Sequence, residues 1–280
     1  MNTLALFDRV CLRASRNTTA SYSTSFSLGI RSLNARFRDP IHSIYGFVRF
    51  ADEIVDTFHD HNKSLLLARF REDTHHAISE GISLNPILHS YQNTVRHFGI
   101  EHSLIDAFLH SMAMDLTEAQ HDQRSYEEYI LGSAEVVGLM CLRVFCEGND
   151  ALYQELKPSA MKLGAAFQKV NFLRDLNDDH QQLGRTYFPG IDVRCMTVDD
   201  KKAIEADIHA DFAAALCGIR KLPKGARFGV YVAYVYYQAL FHKIRSLPTE
   251  RILTERVRVR NRRKLVLLTT SYFRHSFGML

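Results

Sequence analysis

The sequence predicts an all-α fold, and three observations support that expectation. Only 6 prolines and 14 glycines punctuate 280 residues, so few positions break a helix. Between them, apolar residues recur at three- and four-residue spacing over long segments, the period of one helix face. No fixed-period repeat, low-complexity tract or Gly/Ser linker divides the chain, which points to a single domain over 1–280.

The elements follow in order. MNTLALFDRVCLRASRN places Asp8, Arg9, Arg13 and Arg16 among apolar residues, which breaks up a signal core and predicts an amphipathic helix over 3–17. Helices are expected next over 22–32 and over 39–59, the latter with Pro40 near its start. Further helices cover 62–80, 85–98 opened by Asn85–Pro86, 102–121 and 125–147. The spacing continues over 150–182, with Lys157–Pro158 read as lying near a helix start. Gly184 and Tyr187–Phe188–Pro189 then close a loop. Helices over 198–221, 225–246 (bracketed by Pro223 and Pro248) and 250–275 complete the chain. VYVAYVYY is rich in β-branched and aromatic residues, a strand signal, but the apolar run continues through QALFHKI without a turn, and that length favours helix.

Composition bounds the function. With 46% hydrophobic residues the chain can bury a large core. A net charge of +4, from 35 basic and 31 acidic residues, is too mild to imply nucleic acid. RVRVRNRRK, 256–264, lacks the interleaved aromatics of a nucleic-acid patch; it reads as a solvated end or a surface for anionic lipid, part of which approaches any bound phosphate. The five cysteines form no CxxC or framework spacing, which suits buried thiols in a reducing, cytoplasmic compartment. The most apolar window, 229–241, is shorter than a membrane span, so a soluble or peripheral protein is expected.

FADEIVDTF, 50–58, sets Asp52 and Asp56 one above the other on a helix face, where like charges repel. A solvated stripe, a pair neutralised by Arg49, or a metal site would each answer that repulsion. The second acidic segment tilts the balance. Along 158–182, Asn171, Asp175 and Asp179 recur every four residues, Gln168 extends the line, and Phe167, Val170, Phe172, Leu173 and Leu176 flank it. Carboxylates set between apolar walls need cations or protons. Oxygen-only donors suit Mg²⁺, which leaves coordination positions to water and phosphate. Two or three such ions can hold a diphosphate that carboxylates alone would repel. Arg49, Arg174 and Arg185 are candidate phosphate partners, as are the hydroxyls of SYSTSF, 21–26. A metal-bearing clamp over an apolar cavity suits ionisation of an isoprenoid diphosphate.

Taken together, YSTSFSLGIRSL, IYGFVRFADEIVD, GSAEVVGLM and QKVNFLRDLNDDHQQLGRTYFP, in this order, resemble the squalene/phytoene synthase family. The resemblance implies an all-α isoprenoid synthase fold with a central cavity between two Asp-bearing helices and Mg²⁺ ions binding diphosphate. By position it assigns Asp52, Asp56, Asn171, Asp175 and Asp179 to metal, and Ser23, Ser25, Arg49, Arg185 and Tyr187 to diphosphate or lid. Tyr45, Tyr129 and Tyr237 match family aromatics near the reacting carbons, whose π-faces stabilise carbocations. Thr24 stands where a lysine is common, and Leu131 where a tyrosine is common. The GLM of EVVGLM and the compact length are more similar to bacterial phytoene synthases than to eukaryotic squalene synthases, which carry a C-terminal membrane anchor. The implied reaction joins two geranylgeranyl diphosphates into phytoene through a cyclopropyl diphosphate, without NADPH. A C30 synthase using farnesyl diphosphate and a non-catalytic helical partner-binding protein are the competing expectations. His59–Asp60 and His121–Asp122 are expected to be loop or helix-surface histidines, and Asp115 in MAMDL carries no assigned role.

Overall fold

The computed structural model describes residues 3–118, 120–178, 187–191, 196–253, 256–259 and 261–276, with the side chains of 177, 178, 261, 262, 265, 273, 275 and 276 left aside. Among them there is no strand, and the all-α expectation holds. The helices are α1 (Thr3–Tyr22), α2 (Thr24–Arg31), α3 (Ala35–Asp56), α4 (Lys63–Glu80), α5 (Pro86–Phe98), α6 (His102–Thr117) and α7 (Gln123–Ile130). A π turn (Leu131–Glu135) leads into α8 (Val136–Cys146), followed by α9 (Asp150–Asp178), α10 (Val198–Lys221), α11 (Lys224–Arg245), α12 (Thr249–Ile252) and α13 (Asn261–Ser276).

Local chemistry sets many of the ends. Ser23, Asn34, Asn62, Asn85 and Asp122 each accept a hydrogen bond from a first-turn N–H, and Thr197 forms a reciprocal capping box with Asp200. Gly81 and Gly99 end α4 and α5 in the left-handed region, at φ 75° and 63°.

Several sequence expectations need correction. Pro40 and Pro158 do not sit near helix starts: α3 and α9 begin earlier and run through them. Burial of Phe37, Ile41 and Ile44 around one proline, and of Tyr153 and Leu156 beside the other, outweighs the roughly 3 kcal/mol that an interior proline costs. The expected helix 102–121 stops at Thr117. The segment 125–147 is continuously helical over Gln123–Cys146, as expected, with a π turn inside it where Gly132 packs against α6 so closely that a Cβ would lie 2.6 Å from the Ala107 carbonyl oxygen. Finally, 250–275 is not one helix: α12 is a single turn, Arg256–Val259 is non-helical, and α13 follows.

The most span-like helix is also not 229–241. Gln123–Cys146 is long and apolar enough to cross a membrane by length and composition, with 61% of its window buried among the other helices. Two apolar clusters organise the bundle. One gathers α3 to α6, α8 and the start of α9; the other gathers α7, the rest of α9, α10 and α11. VYVAYVYY lies within α11, with Tyr231, Tyr234, Tyr236 and Tyr237 all buried.

Close helix approach around α9 depends on absent side chains. A Cβ on Gly164 would lie 2.5 Å from the Ala134 carbonyl oxygen and 3.0 Å from the Glu135 Cα, both backbone atoms that cannot swing aside. Gly164→Val is therefore expected to destabilise the fold by about 1–3 kcal/mol, read as a lower urea midpoint with an unchanged slope. An unaltered midpoint would show that α9 can move off the π turn freely.

Candidate active site

A cavity of about 920 Å³ runs between the two clusters, and both acidic segments open into it. α3 contributes Asp52, Asp56, Arg49 and Tyr45 from one face; α9 contributes Asp175, Asn171, Gln168 and Phe167 from another. The two lines of polar groups thus share one space, lined otherwise by apolar residues of α2, α8, α10 and α11.

On the α3 side, Arg49 divides its contacts. It places Nη1 4.0 Å from Asp52 Oδ2, while its Nη2 pairs closely with Glu53. Its guanidinium lies 4.3 Å from the centre of the Tyr22 ring, and its Nε is buried without a hydrogen-bond partner. Arg49 thus lies beside Asp52, as the neutralised-pair reading expected, but gives its closest contact to Glu53. The Asp52 carboxyl is pushed up to about 8 by burial first and then by Asp56, with Asp115 adding and Arg49 opposing.

On the α9 side, the charge is clamped. Arg174 grips Asp175 with Nε at 2.9 Å and with Nη2, and Arg256 places its Nε 2.9 Å from Asp175 Oδ1. The Asn171 amide donates to Gln168 Oε1 at 3.4 Å. Asp179 and Arg185 lie outside the described residues.

Hydroxyls and aromatics complete the walls. Ser23, Thr24 and Ser25 line the cavity at the start of α2, where Ser23 Oγ accepts from the Phe26 N–H at 3.1 Å. Lys264 donates to Thr24 Oγ1 at 2.8 Å, so α13 brings an ammonium group to this run of hydroxyls. Beneath the acids, Phe26 lies 5.7 Å from Tyr45 and 6.0 Å from Tyr237, and Phe167 stacks on Tyr237 at 3.9 Å. Burial raises the Tyr45 phenol to about 12 and raises Tyr237 as well, so both are neutral.

A second aromatic group hangs on Asp115. Tyr129 donates to its Oδ2 at 2.8 Å and Tyr187 to its Oδ1 at 3.1 Å. Phe172 stacks on Tyr187 at 4.1 Å, and His121 lies parallel to the same ring at 5.6 Å. His121 lies in the loop between α6 and α7, in line with the loop alternative of its reading, and it is buried against the tyrosines, which corrects the surface alternative. Burial, followed by Asp115 and Tyr187, drives the Tyr129 phenol well above its ordinary range.

The donor set suits a hard cation. Among the described residues no three His, Cys, Asp or Glu converge as a ready-made cage, so the oxygens come as separate groups on facing helices. That leaves coordination positions for phosphate and water, as Mg²⁺ favours.

Comparison with known proteins agrees with this geometry. Residues 19–263 match the squalene/phytoene synthase family profile. The chain belongs to the squalene/phytoene synthase family. Its members are prenyltransferases of all-α isoprenoid synthase fold. Phytoene synthase 1 of Solanum lycopersicum is 27% identical over 90% of this chain, which spans 65% of that relative's length. A presqualene diphosphate synthase of Sinorhizobium fredii is 31% identical, covering 69% of this chain and 68% of its own. A crystal structure of a dehydrosqualene synthase in complex with a ligand superposes with a TM-score of 0.81 at 20% identity, over 95% of this chain and 96% of its own.

The sequence marked 256–264 as a segment that approaches phosphate without singling out Arg256 or Lys264, which reach the site, and it gave no sign of the tie of Tyr129 to Asp115. The RVRV alternation of 256–259 was a readable signal, because a period of two argues against helix. Phe26, Phe167 and Phe172 had no signal beyond being apolar.

The raised Asp52 has a measurable sign. The folded carboxyl holds its proton more tightly than the unfolded one, so the associated stability is fully present below the ordinary 3.8 and is lost as pH rises through about 8. In chelator-treated protein the melting temperature is expected to fall across that window, and less steeply in Asp52→Asn. An identical fall in the variant would place the strain elsewhere.

Proposed function

We propose that this protein is a Mg²⁺-dependent prenyltransferase that joins two geranylgeranyl diphosphates head to head into phytoene. The supporting observation is the pair of acidic lines opening into one apolar cavity, beside an Arg49 whose buried Nε lacks a protein partner. A diphosphate oxygen would supply that partner.

Asp52 and Asp56 on one side and Asn171 and Asp175 on the other would hold the ions. Bound Mg²⁺ neutralises the diphosphate and eases its departure as a leaving group. The protein's own groups then act on what remains. Arg49 binds phosphate, and Arg174 and Arg256 can shift from Asp175 to the incoming anion, freeing that carboxylate for a cation. Ser23 and Ser25 add hydroxyls at the start of α2, where the helix dipole favours negative charge.

One substrate ionises, and its allylic cation alkylates the double bond of the other; loss of a proton closes the cyclopropane. Ionisation of that cyclopropyl diphosphate, rearrangement and loss of a second proton give the C40 product. No electrons are gained or lost overall, so no NADPH is consumed. Throughout, Tyr45, Tyr237, Phe26 and Phe167 offer π-faces to the cation, and their neutral, buried rings exclude water that would quench it. The Tyr129 hydroxyl donates to Asp115, which fixes the orientation of its ring. An apolar product of this size would leave toward lipid, which favours peripheral membrane contact.

A C15 substrate and a squalene-type C30 route form the second reading, favoured by the relative named presqualene diphosphate synthase. Incubation with C15 and C20 diphosphates and Mg²⁺, with products read by mass, separates the two. Geranylgeranyl diphosphate is expected to give a C40 hydrocarbon. Asp52→Ala and Asp175→Ala are expected to lower turnover by roughly a hundredfold or more while the helical circular dichroism stays intact. No turnover of either substrate by a folded protein would defeat the reading.

A further inference from the structure

Away from the cavity, α9 carries a second line of charge. Lys162 and Lys169 stand two turns apart, roughly 10 Å along the axis, and both reach Asp211 of α10. Asp211 is 2% exposed: its Oδ1 accepts from Lys162 at 2.8 Å and its Oδ2 from Lys169 at 2.7 Å. Lys169, itself 7% exposed, also pairs closely with Asp207, one turn earlier on α10. Glu135 of the π turn meets the same charges. Burial raises its carboxyl above the ordinary range, with Lys162 and Lys169 opposing and Asp211 adding.

A buried ion pair is a costly way to hold two helices together. The neighbours on α10, Ile208, Phe212 and Ala215, are apolar and buried, and an apolar pair of similar volume at 169 and 211 would pack among them with equal stability. What apolar packing lacks is direction. Leucine on leucine tolerates a slide or a turn of one helix on the other, whereas Asp211, with one oxygen on each of two lysines, fixes both the height and the rotation of α9. That setting matters two residues further on. Asn171 points roughly 200° round the helix from Lys169, into the cavity, and Asp175 follows one turn later. A slip of one residue would move both by roughly 1.5 Å along the axis and turn them by roughly 100°, away from any ion shared with Asp52 and Asp56. The close approaches of α9, at Gly164 to the π turn and at Ser159 to Gly218, lie toward its start; Lys169 carries the grip to within two residues of Asn171.

We propose that Lys169 and Asp211 are positioning residues for the candidate metal site: their buried pair sets the height and rotation of α9, and so holds Asn171 and Asp175 at the separation from Asp52 and Asp56 that the ions require. The proposal rests on the Mg²⁺-dependent prenyltransferase reading above and adds the residues that keep one side of its site in place.

The test compares wild type with Lys169→Met/Asp211→Leu, with Lys169→Arg and, as a control, with Lys221→Met, which breaks the exposed Lys221–Glu155 pair between the same two helices. The double variant removes one positive and one negative charge, so net charge is unchanged. Mg²⁺ binding is read by calorimetry in the presence of an unreactive thio-analogue of geranylgeranyl diphosphate, stability by the urea midpoint, and turnover as a function of Mg²⁺. The double variant is expected to keep or exceed the wild-type urea midpoint, yet to bind Mg²⁺ roughly tenfold more weakly and to need correspondingly more of it for half-maximal turnover. Lys169→Arg, which keeps a cation of similar reach, is expected to restore most of that affinity, and Lys221→Met to match wild type. Should the double variant not fold, Asp207→Asn at its exposed position loosens the same lysine and is expected to weaken Mg²⁺ binding in the same direction. Wild-type Mg²⁺ affinity in whichever of these two variants folds would overturn the positioning role while leaving the enzyme reading standing, as would an equal loss in Lys221→Met. Wild type that binds no Mg²⁺ with the analogue present would overturn both.

Discussion

The site is governed by carboxylates gathered against apolar walls. Asp52 and Asp56 stand one turn apart on α3, Asp115 on α6 adds to the negative charge that Asp52 meets, and Arg49 gives its closest contact to Glu53. In such surroundings a carboxyl either keeps a proton or recruits a cation, and the raised Asp52 expresses that choice. The opposite line solves the same problem differently: Asp175 borrows two arginines, one from its own helix and one from the C-terminal segment. A diphosphate with its metal ions would satisfy both sides at once, since it brings cations to the acids and anions to the arginines.

Around that charge the bundle is built for rigidity. The backbones of α9 and the π turn approach to distances that only glycine permits, and the π turn itself is where Ser133 and Ala134 reach the cavity wall. Tyr129 and Tyr187 are oriented by their hydrogen bonds to Asp115. Their rings, with Tyr45 and Tyr237, present aromatic surface along the cavity wall.

Much of this was readable before any coordinates. Helix periodicity identified α1 to α11 to within a few residues at most ends, since each buries one apolar stripe and most carry a cap. The periodic oxygen donors Asp52 and Asp56, and Asn171 and Asp175, were visible for the same reason: four-residue spacing on a helix makes one line. Less readable were the two interior prolines, because local propensity there yields to packing that only long-range contacts supply. The burial of the loop residue His121 was not legible, because burial of a turn depends on what the next helix folds over it.

The sequence by itself determined the helical class, the two acidic lines and the aromatic supply, since each is a periodic property of a single segment. Only tertiary structure decided that the two lines share one cavity, that Arg256 and Lys264 return to the acids and hydroxyls from the far end of the chain, and that Asp115 holds two tyrosines. Those features join residues distant in the chain, and no local period encodes such distances; they follow from how the helices pack.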